Sequence, residues 1–278
     1  MGLLKANSSL INTNKVSVQK TNLGGGKMQL YKFLPNRLQG LSLWLKADAG
    51  VTLSGSDVTA WADQSGNSRN FTKSIDNTGF PTFANQAVLF TANDTYNDLN
   101  ASILALPSAS LNLTGPFTLI AVVRAGANNS CVFSKSNDDT KRRKYQISVN
   151  NGNIYALEST NGEDNHIVYD TGTGDDITVK RLIVSQFTSN TAGIIRYNGA
   201  EVAVGDGNGP NDEYGYALDE TNTASVFIGA SPFSEGTSYN AEASTEMYVY
   251  EIIFYNRAIT TSEIQQVEAY LNAKYVIY

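Results

Sequence analysis

The stretch from residue 41 to residue 71 constrains the fold more than any other part of this sequence. An apolar segment, Leu41–Lys46, is followed by a Gly-containing turn and by the motif Trp61-x-Asp63-x-Ser65-Gly66-Asn67. Asp, Ser and Asn side chains accept backbone hydrogen bonds in tight turns, and Gly permits a positive φ. The two Trp side chains in this stretch are large enough to anchor packed sheets. We therefore expect the motif to build the fold rather than to bind a ligand.

Short apolar segments continue beyond this stretch, separated by polar turns. Residues 117–125 are continuously apolar, which is typical of a central strand covered on both sides. Asn151-Gly152 and Asn198-Gly199 are strong hairpin turns, because Asn and Gly tolerate positive φ. The other predicted strands are residues 41–46, one or two within 50–61, 87–91, 131–135, 144–149, 153–158, a strand beginning at His166, 181–188, 192–197, 201–204, 225–230 and 246–256. This spacing predicts an all-β, two-sheet antiparallel sandwich.

One short helix is predicted near the C-terminus. Thr260 and Glu263 have the spacing of a capping box, in which each side chain bonds to the other residue's backbone N–H. The apolar residues that follow fall on one helical stripe, namely Ile264, Val267, Leu271 and Tyr275. We expect this stripe to cover part of a sheet.

The N-terminal residues differ in composition from the rest of the chain. Residues 1–40 contain six basic residues and no acidic one, so the remaining 20 − 6 = 14 basic and 26 acidic residues give a net charge of −12. Gly24-Gly25-Gly26 indicates a hinge. We predict an extended basic arm over residues 1–38 and a single domain over residues 39–278. The candidate docking residues of the arm are Lys5, Lys15, Lys20, Lys27, Lys32 and Arg37.

These charges allow two interpretations of the arm. It either docks on an acidic protein surface or on an anionic polymer, or it simply keeps a linker soluble. The acidic body excludes nucleic-acid binding through a general field. Cys131 is the single cysteine, so no intrachain disulfide can form, and no apolar window is long enough to span a membrane. The first residues lack the apolar run of a secretory signal, so we expect no Sec-type export.

Several of these residues also carry a family resemblance. The opening Leu41-x-Leu43-Trp44-Leu45, the motif from Trp61 to Asn67, and residues 250–258 with residues 263–271 resemble the LamG-like branch of the concanavalin A-like lectin/glucanase superfamily. The resemblance extends over residues 41–275 and is weakest in the middle. It implies a jelly roll that binds glycans or proteins, is sometimes attached to enzymes, and is often found in phage and bacterial surface proteins.

The sequence lacks the residue patterns of the common enzyme classes. The glucanase relatives resemble one another through Glu-x-Asp-x-x-Glu on one strand, which places two carboxylates in a cleft, and no such pattern exists here. His166 is the only histidine, which excludes multi-His zinc sites and paired His relays. No nucleotide-binding motif is present. We expect no enzymatic activity and no required cofactor.

Two candidate sites fall in long loops. Residues 205–214 are rich in oxygen ligands that suit calcium, although they lack the distal Glu of an EF-hand; the alternative is a solvated turn. The candidate metal ligands are Asp206, Asn208 and Asp212. Aromatic residues in loops stack on sugar rings in many lectin-like sites, and the alternative is that they anchor the loops. The candidate glycan-binding residues are Tyr214, Tyr216, Phe233 and Tyr239.

Taken together, these features predict a non-catalytic virion protein, a structural or decoration component of a phage head or tail. Its arm would contact neighbouring virion subunits, and its jelly roll would be displayed and could bind cell-surface glycans. We expect a homo-oligomer or a place in a larger assembly, with no membrane partner. The alternatives are a carbohydrate-binding module of the bacterial cell surface and, less favoured, an enzyme that degrades polysaccharide.

Overall fold

The computed structural model describes residues 33–73, 78–91, 101–106, 111, 115–125, 130–137, 142–150, 153–158, 166–170, 179–189, 192–202, 225–233, 238–240 and 246–278. Within these ranges the chain forms nineteen strands, one 3-10 turn (Pro35–Arg37) and one α-helix, α1 (Thr261–Tyr275). None of the helical segments described is long and apolar enough to span a membrane.

The strands are β1 (Leu41–Lys46), β2 (Val51–Ser54), β3 (Asp57–Trp61), β4 (Phe71–Lys73), β5 (Thr82–Ala84), β6 (Ala87–Phe90), β7 (Leu104–Leu106), β8 (Phe117–Ala125), β9 (Ser130–Asn137), β10 (Arg142–Asn150), β11 (Asn153–Glu158), β12 (His166–Asp170), β13 (Arg181–Ser189), β14 (Ala192–Tyr197), β15 (Ala200–Val202), β16 (Val226–Ile228), β17 (Ser231–Phe233), β18 (Ser238–Asn240) and β19 (Met247–Tyr255).

Seventeen of the described strands form two antiparallel sheets that are joined at one edge, and β17 and β18 form a separate hairpin. In the first sheet the order is β15-β14-β13-β8-β19, and the far edge of β19 pairs with β1 along one half and with β6 along the other. The second sheet runs β12-β11-β10-β9-β16-β7-β4-β3-β2. Strand β5 pairs with both β3 and β6 and so joins the sheets at one edge. The predicted all-β sandwich is confirmed.

The main core lies between the two sheets. Its centre is aromatic: the Phe254 ring stacks on Phe117 at a centroid distance of 5.5 Å and lies 5.1 Å from Tyr145. Strand β8, predicted from its continuous apolar run, is buried at every position except Arg124. Burial of so many large apolar side chains supplies the main driving force for folding. The stability of the sandwich therefore does not depend on a disulfide, and Cys131 lies buried in β9.

A second core lies on the outer face of the first sheet, where α1 packs over β8, β13 and β19. The capping box is present, because the Thr260 hydroxyl accepts from the Glu263 N–H and the Glu263 carboxylate accepts from the Thr260 N–H. The predicted stripe is buried at all four positions, Ile264, Val267, Leu271 and Tyr275. Trp44 belongs to this outer core, whereas Trp61 belongs to the inner one. The two Trp residues therefore anchor opposite faces of the fold.

The segment that precedes β1 packs on the outer core. Phe33, Leu34 and Leu38 contact it, and the Tyr255 hydroxyl donates to the Pro35 carbonyl at 3.0 Å. Arg37 lies exposed on the 3-10 turn. The other docking candidates of the arm, Lys5, Lys15, Lys20, Lys27 and Lys32, lie outside the described residues. The last residues of the predicted arm are thus held on the sandwich.

Candidate functional site

Two of the four predicted glycan-binding residues lie on a small hairpin. Phe233 is the last residue of β17 and pairs with Ser238, while Tyr239 in β18 pairs with Pro232. The chain enters this hairpin through Gly229, which has a φ of 92°. The next carbonyl, that of Ala230, accepts a 2.7 Å hydrogen bond from the Ser134 hydroxyl. The hairpin is therefore attached to the second sheet beside β9.

Tyr214 and Tyr216 lie outside the described residues, and so do the predicted calcium ligands Asp206, Asn208 and Asp212. All five fall between the end of β15 in the first sheet and the start of β16 in the second. Within the described ranges there is no group of three His, Cys, Asp or Glu residues that could hold a metal ion. The calcium and glycan sites at these positions remain predictions.

The motif around Asp63 forms a clasp between β1 and the turn after β3. One oxygen of the Asp63 carboxylate accepts from the Trp44 N–H at 3.0 Å and from the Ser65 N–H at 2.8 Å. The other accepts from the Ser65 hydroxyl at 2.7 Å and from the Arg69 N–H at 3.1 Å. Four donors occupy both oxygens, so this carboxylate has little capacity left for a ligand.

Two further side chains complete the clasp. The Asn67 amide donates to the carbonyls of Leu41 and Ser42 at 3.1 and 3.2 Å, and the Arg69 guanidinium also donates to the Ser42 carbonyl. Gly66 has a φ of 92°, the left-handed conformation that the tight turn needs. The polar groups of the motif are thus directed at the backbone of β1, as the sequence predicts for a structural role.

The structure also reveals a buried carboxylate that the sequence analysis missed. Glu251, in the middle of β19, is only 1% exposed. Its Oε1 accepts from the Trp44 indole at 2.6 Å and from the Tyr270 hydroxyl at 3.0 Å. Its Oε2 accepts from Lys274 Nζ and from the Tyr275 hydroxyl, each at 2.8 Å. This cluster ties β1, β19 and α1 together.

A β-bulge explains why Glu251 faces the helix. In the pairing with β8, Val249 lies opposite Val123 and Glu251 lies opposite Val122, so one residue, Tyr250, is extra. The extra residue reverses the alternation of side chains along the strand. Without the bulge, Glu251 would point into the apolar core between the sheets, where a lone carboxylate is very costly. A charged residue inside the apolar run of residues 247–255 was the available sequence signal.

The Glu251 cluster is suited to holding structure rather than to catalysis. Burial raises the pKa of Tyr270 and Tyr275 well above the usual value for tyrosine, and the neighbouring Glu251 charge raises it further. Both hydroxyls therefore stay protonated and continue to donate. Because all four acceptor positions of Glu251 are engaged, no position is left for a substrate oxygen or a water nucleophile.

A second ion pair fixes the helix to β14 of the first sheet. Arg196 in β14 donates from Nε to Glu268 Oε1 at 2.8 Å and from Nη2 to Glu268 Oε2 at 3.0 Å. Both side chains are buried, and the hydrogen bond to Glu268 raises the pKa of Arg196. This bidentate contact is structural in the same sense as the Glu251 cluster.

Beyond the C-terminal end of α1, the outer face of the first sheet carries cations that lie over tyrosine rings. Arg124 pairs with Tyr248 across β8 and β19, and its guanidinium lies 3.9 Å from the Tyr248 ring centre. Lys180 Nζ lies 5.0 Å from the centre of the Tyr250 ring and donates to the Tyr275 carbonyl at 3.2 Å. Such contacts restrict the position of a cation, while some of its N–H groups remain available to donate hydrogen bonds.

Comparisons with known proteins bear on the fold. No protein-family model matches the sequence, and no curated protein matches it. Among solved structures, the binding domain of Paraclostridial Mosquitocidal Protein 1 is similar with a TM-score of 0.56 and 13% identity over 84% of this chain and 52% of that one. The binding domain of botulinum neurotoxin serotype D has a TM-score of 0.53 and 10% identity over 82% and 51%.

A third similar structure is the Trypanosoma rangeli sialidase in complex with sialic acid, with a TM-score of 0.55 and 16% identity over 95% of this chain and 37% of that one. The chain thus spans about half of the two toxin binding domains and just over a third of the sialidase. At these identities the similarity concerns architecture alone. The chain has the antiparallel β-sandwich fold that parts of these binding domains and of the sialidase also have.

Proposed function

We propose that this chain is a non-catalytic glycan-binding protein of the LamG-like kind, displayed on a bacteriophage virion to which its N-terminal segment attaches. The observation that carries the glycan-binding part is the shared sandwich fold. Two of the similar structures are binding domains of toxins, and the third is a sialidase in complex with sialic acid. The aromatic residues Tyr214 and Tyr216, which follow β15 and precede β16 in the sequence, are the proposed contacts for sugar rings.

The proposed function is non-catalytic, and three carboxylates of the described residues, those of Asp63, Glu251 and Glu268, are engaged within the fold. Asp63 and Glu251 each accept four hydrogen bonds, and Glu268 is paired with Arg196. Glycoside hydrolysis needs one carboxyl group that can give up a proton and another that can attack or activate water. None of these three is available for such a role.

The proposed attachment uses the contrast in charge between the N-terminal segment and the rest of the chain. The segment carries only positive charges, and the remainder has a net charge of −12. Opposite charges favour docking on a neighbouring subunit, whether another copy of this chain or a different virion protein. Because residues 33–38 pack on their own sandwich, we assign the attachment to residues 1–32. The alternative setting is the bacterial cell surface.

Glycan binding is tested by screening the full chain on a glycan array and measuring the affinity of the best ligand. We expect Tyr214→Ala or Tyr216→Ala to weaken binding by about tenfold, since loss of one stacked aromatic ring costs roughly 1 to 1.5 kcal/mol. The control is Phe83→Ala, which removes a partly exposed aromatic ring from β5. Absence of binding to every glycan on the array would refute this part of the proposal.

Attachment is tested by deleting residues 1–32 and, separately, by replacing Lys5, Lys15, Lys20, Lys27 and Lys32 with Gln. We expect both variants to keep the melting temperature of the sandwich and to lose incorporation into phage particles. A cell-surface module would instead keep its glycan binding and show no incorporation even with the intact sequence. Incorporation of the deletion variant at the normal level would contradict the assignment of attachment to this segment.

A further inference from the structure

Arg124 is the single position of β8 that is not buried, and it lies on the outer face of the first sheet. Its neighbour across the strand pair with β13 is Lys180, because Arg181 pairs with Val123. On its other side, Tyr248 supports the guanidinium. Tyr250 lies next to this pair, and the charge of Arg124 opposes the rise in the pKa of its hydroxyl that burial causes. Two cations and one tyrosine hydroxyl thus share one patch, the Arg124 patch.

The two cations of the Arg124 patch have no carboxylate partner among the described residues. The ion pairs of that part of the chain involve Arg196, Arg257 and Lys274 instead. The nearby Glu246 carboxylate accepts from the Tyr248 hydroxyl at 3.2 Å rather than from Arg124. Within the described residues, Arg124 and Lys180 therefore form no ion pair with a carboxylate.

Arg124 also retains an unused donor. Its Nε is buried and has no hydrogen-bond acceptor in the described part of the chain. A buried N–H without an acceptor costs free energy, roughly 1 to 3 kcal/mol, and more when the group is charged. Because this Nε is closed to solvent, a ligand would meet the two Nη groups, whose paired N–H donors also match the two oxygens of a carboxylate.

The patch contrasts with the charge of the whole molecule. With a net charge of −12 beyond residue 40, the general field repels anions, so selective capture of an anion requires a local pair of cations. Stacking on Tyr248 and the hydrogen bond from Lys180 to the Tyr275 carbonyl restrict both side chains before any ligand arrives. Restriction of this kind lowers the entropy lost on binding.

We propose that Arg124 and Lys180 form a binding site for an anionic group, which, resting on the proposed glycan-binding function, is the carboxylate of an acidic sugar. Arg124 donates from its Nη groups to the carboxylate oxygens, and Lys180 supplies the second positive charge. The Tyr250 hydroxyl is placed to donate to the same anion or to a neighbouring sugar oxygen.

The test compares 3′-sialyllactose with lactose, which lacks the carboxylate, by calorimetric titration of the full chain. We expect wild-type protein to bind sialyllactose more tightly than lactose. Arg124→Gln and Lys180→Gln should each weaken sialyllactose binding by about tenfold, the effect of losing one charged hydrogen bond, and leave lactose binding unchanged. The matched control is Lys46→Gln, because Lys46 also lies over an aromatic ring, that of Trp44 at 4.6 Å.

The outcomes separate this inference from the proposed function. If lactose and sialyllactose bind equally and neither variant changes either affinity, glycan binding stands and the anion site is refuted. If no glycan binds but acetate shifts the NMR signal of the Arg124 Nε–H, the anion site stands and the glycan function falls. If no glycan binds in the titration or on the array and acetate leaves that signal unchanged, both are refuted. Unchanged melting temperatures of the variants show that a loss of binding is local.

Discussion

The indole N–H of Trp44 donates a 2.6 Å hydrogen bond to the carboxylate of Glu251, which lies 207 positions later in the sequence. The same carboxylate accepts from Tyr270, Tyr275 and Lys274 of α1. One buried group therefore joins the first strand, the central strand and the helix. Its charge is compensated by Lys274, which also contacts Asp48 at 3.0 Å.

We predict that Glu251→Gln lowers the free energy of unfolding by about 3 kcal/mol, because removing one member of a buried ion pair leaves its partners without compensation. The measurement is chemical denaturation followed by tryptophan fluorescence. The control is Glu201→Gln, which removes an exposed carboxylate 3.7 Å from Arg196 and should change stability by less than about 0.5 kcal/mol. Equal effects of the two substitutions would show that the cluster adds nothing specific.

The clasp around Asp63 gives a second prediction. Asp63→Ala removes the acceptor for the N–H groups of Trp44, Ser65 and Arg69, so we expect a loss of roughly 2 to 3 kcal/mol and a lower melting temperature. Calorimetry measures the change, and glycan affinity is measured on the folded variant. A variant that kept its stability but lost its ligand would contradict the structural role of the motif.

The contact between Glu263 and Arg257 predicts how stability depends on pH. The hydrogen bond from Arg257 lowers the pKa of Glu263 from its usual value of 4.5 to about 2. A carboxylate with a lowered pKa stabilises the folded state above its unfolded pKa, and that stabilisation is lost as the pH falls towards the folded value. Wild type should therefore exceed Glu263→Gln in stability above pH 4.5, and the difference should shrink as the pH falls to about 2.

Urea unfolding of both proteins across this range measures the difference. Arg257→Gln should also weaken the pH dependence of the free energy of unfolding, since it removes the hydrogen-bond donor that lowers the pKa of Glu263. A constant difference between wild type and Glu263→Gln from neutral pH to pH about 2 would mean that the ion pair does not set this pKa.

Gly229 gives a fourth prediction, at the entrance to the β17–β18 hairpin. It has a φ of 92°, and a Cβ atom there would lie 2.6 Å from both the Phe90 ring and the Ser102 carbonyl oxygen. Gly229→Ala should cost roughly 3 kcal/mol in total, from backbone strain and from steric overlap. Gly55 has a φ of 65°, and a Cβ atom there would have no other atom within 4 Å, so Gly55→Ala should cost only about 1 kcal/mol. Denaturation midpoints of the two variants test the difference.

Much of the fold could be predicted because its signals are local. The continuous apolar run of residues 117–125 gave the bounds of β8, and the Thr260 and Glu263 pair gave the start of α1. Asn198-Gly199 marks the turn between β14 and β15, where both residues have positive φ. Each of these features depends on neighbouring residues and on backbone preferences that hold in any protein.

Other features could not be predicted, for physical reasons that differ from case to case. Strands of three residues such as β4, β5, β7, β17 and β18 are too short to show a periodic pattern. The bulge at Tyr250 depends on the pairing of β19 with β8, and the Arg196–Glu268 pair joins residues 72 positions apart. The grouping of Arg124 with Lys180 likewise arises from strand order. Such contacts are created by the fold itself.

The position of β19 has a consequence for how the chain folds as it is synthesised. This strand lies between β8 on one edge and β1 and β6 on the other, yet it is the last strand in the sequence. Until the ribosome has released it, those three strands each expose an edge that can pair with another chain. Closing contacts over such long sequence separations is slow. The nascent chain therefore lacks the centre of its first sheet until β19 has been synthesised, and chaperones would matter most in this interval.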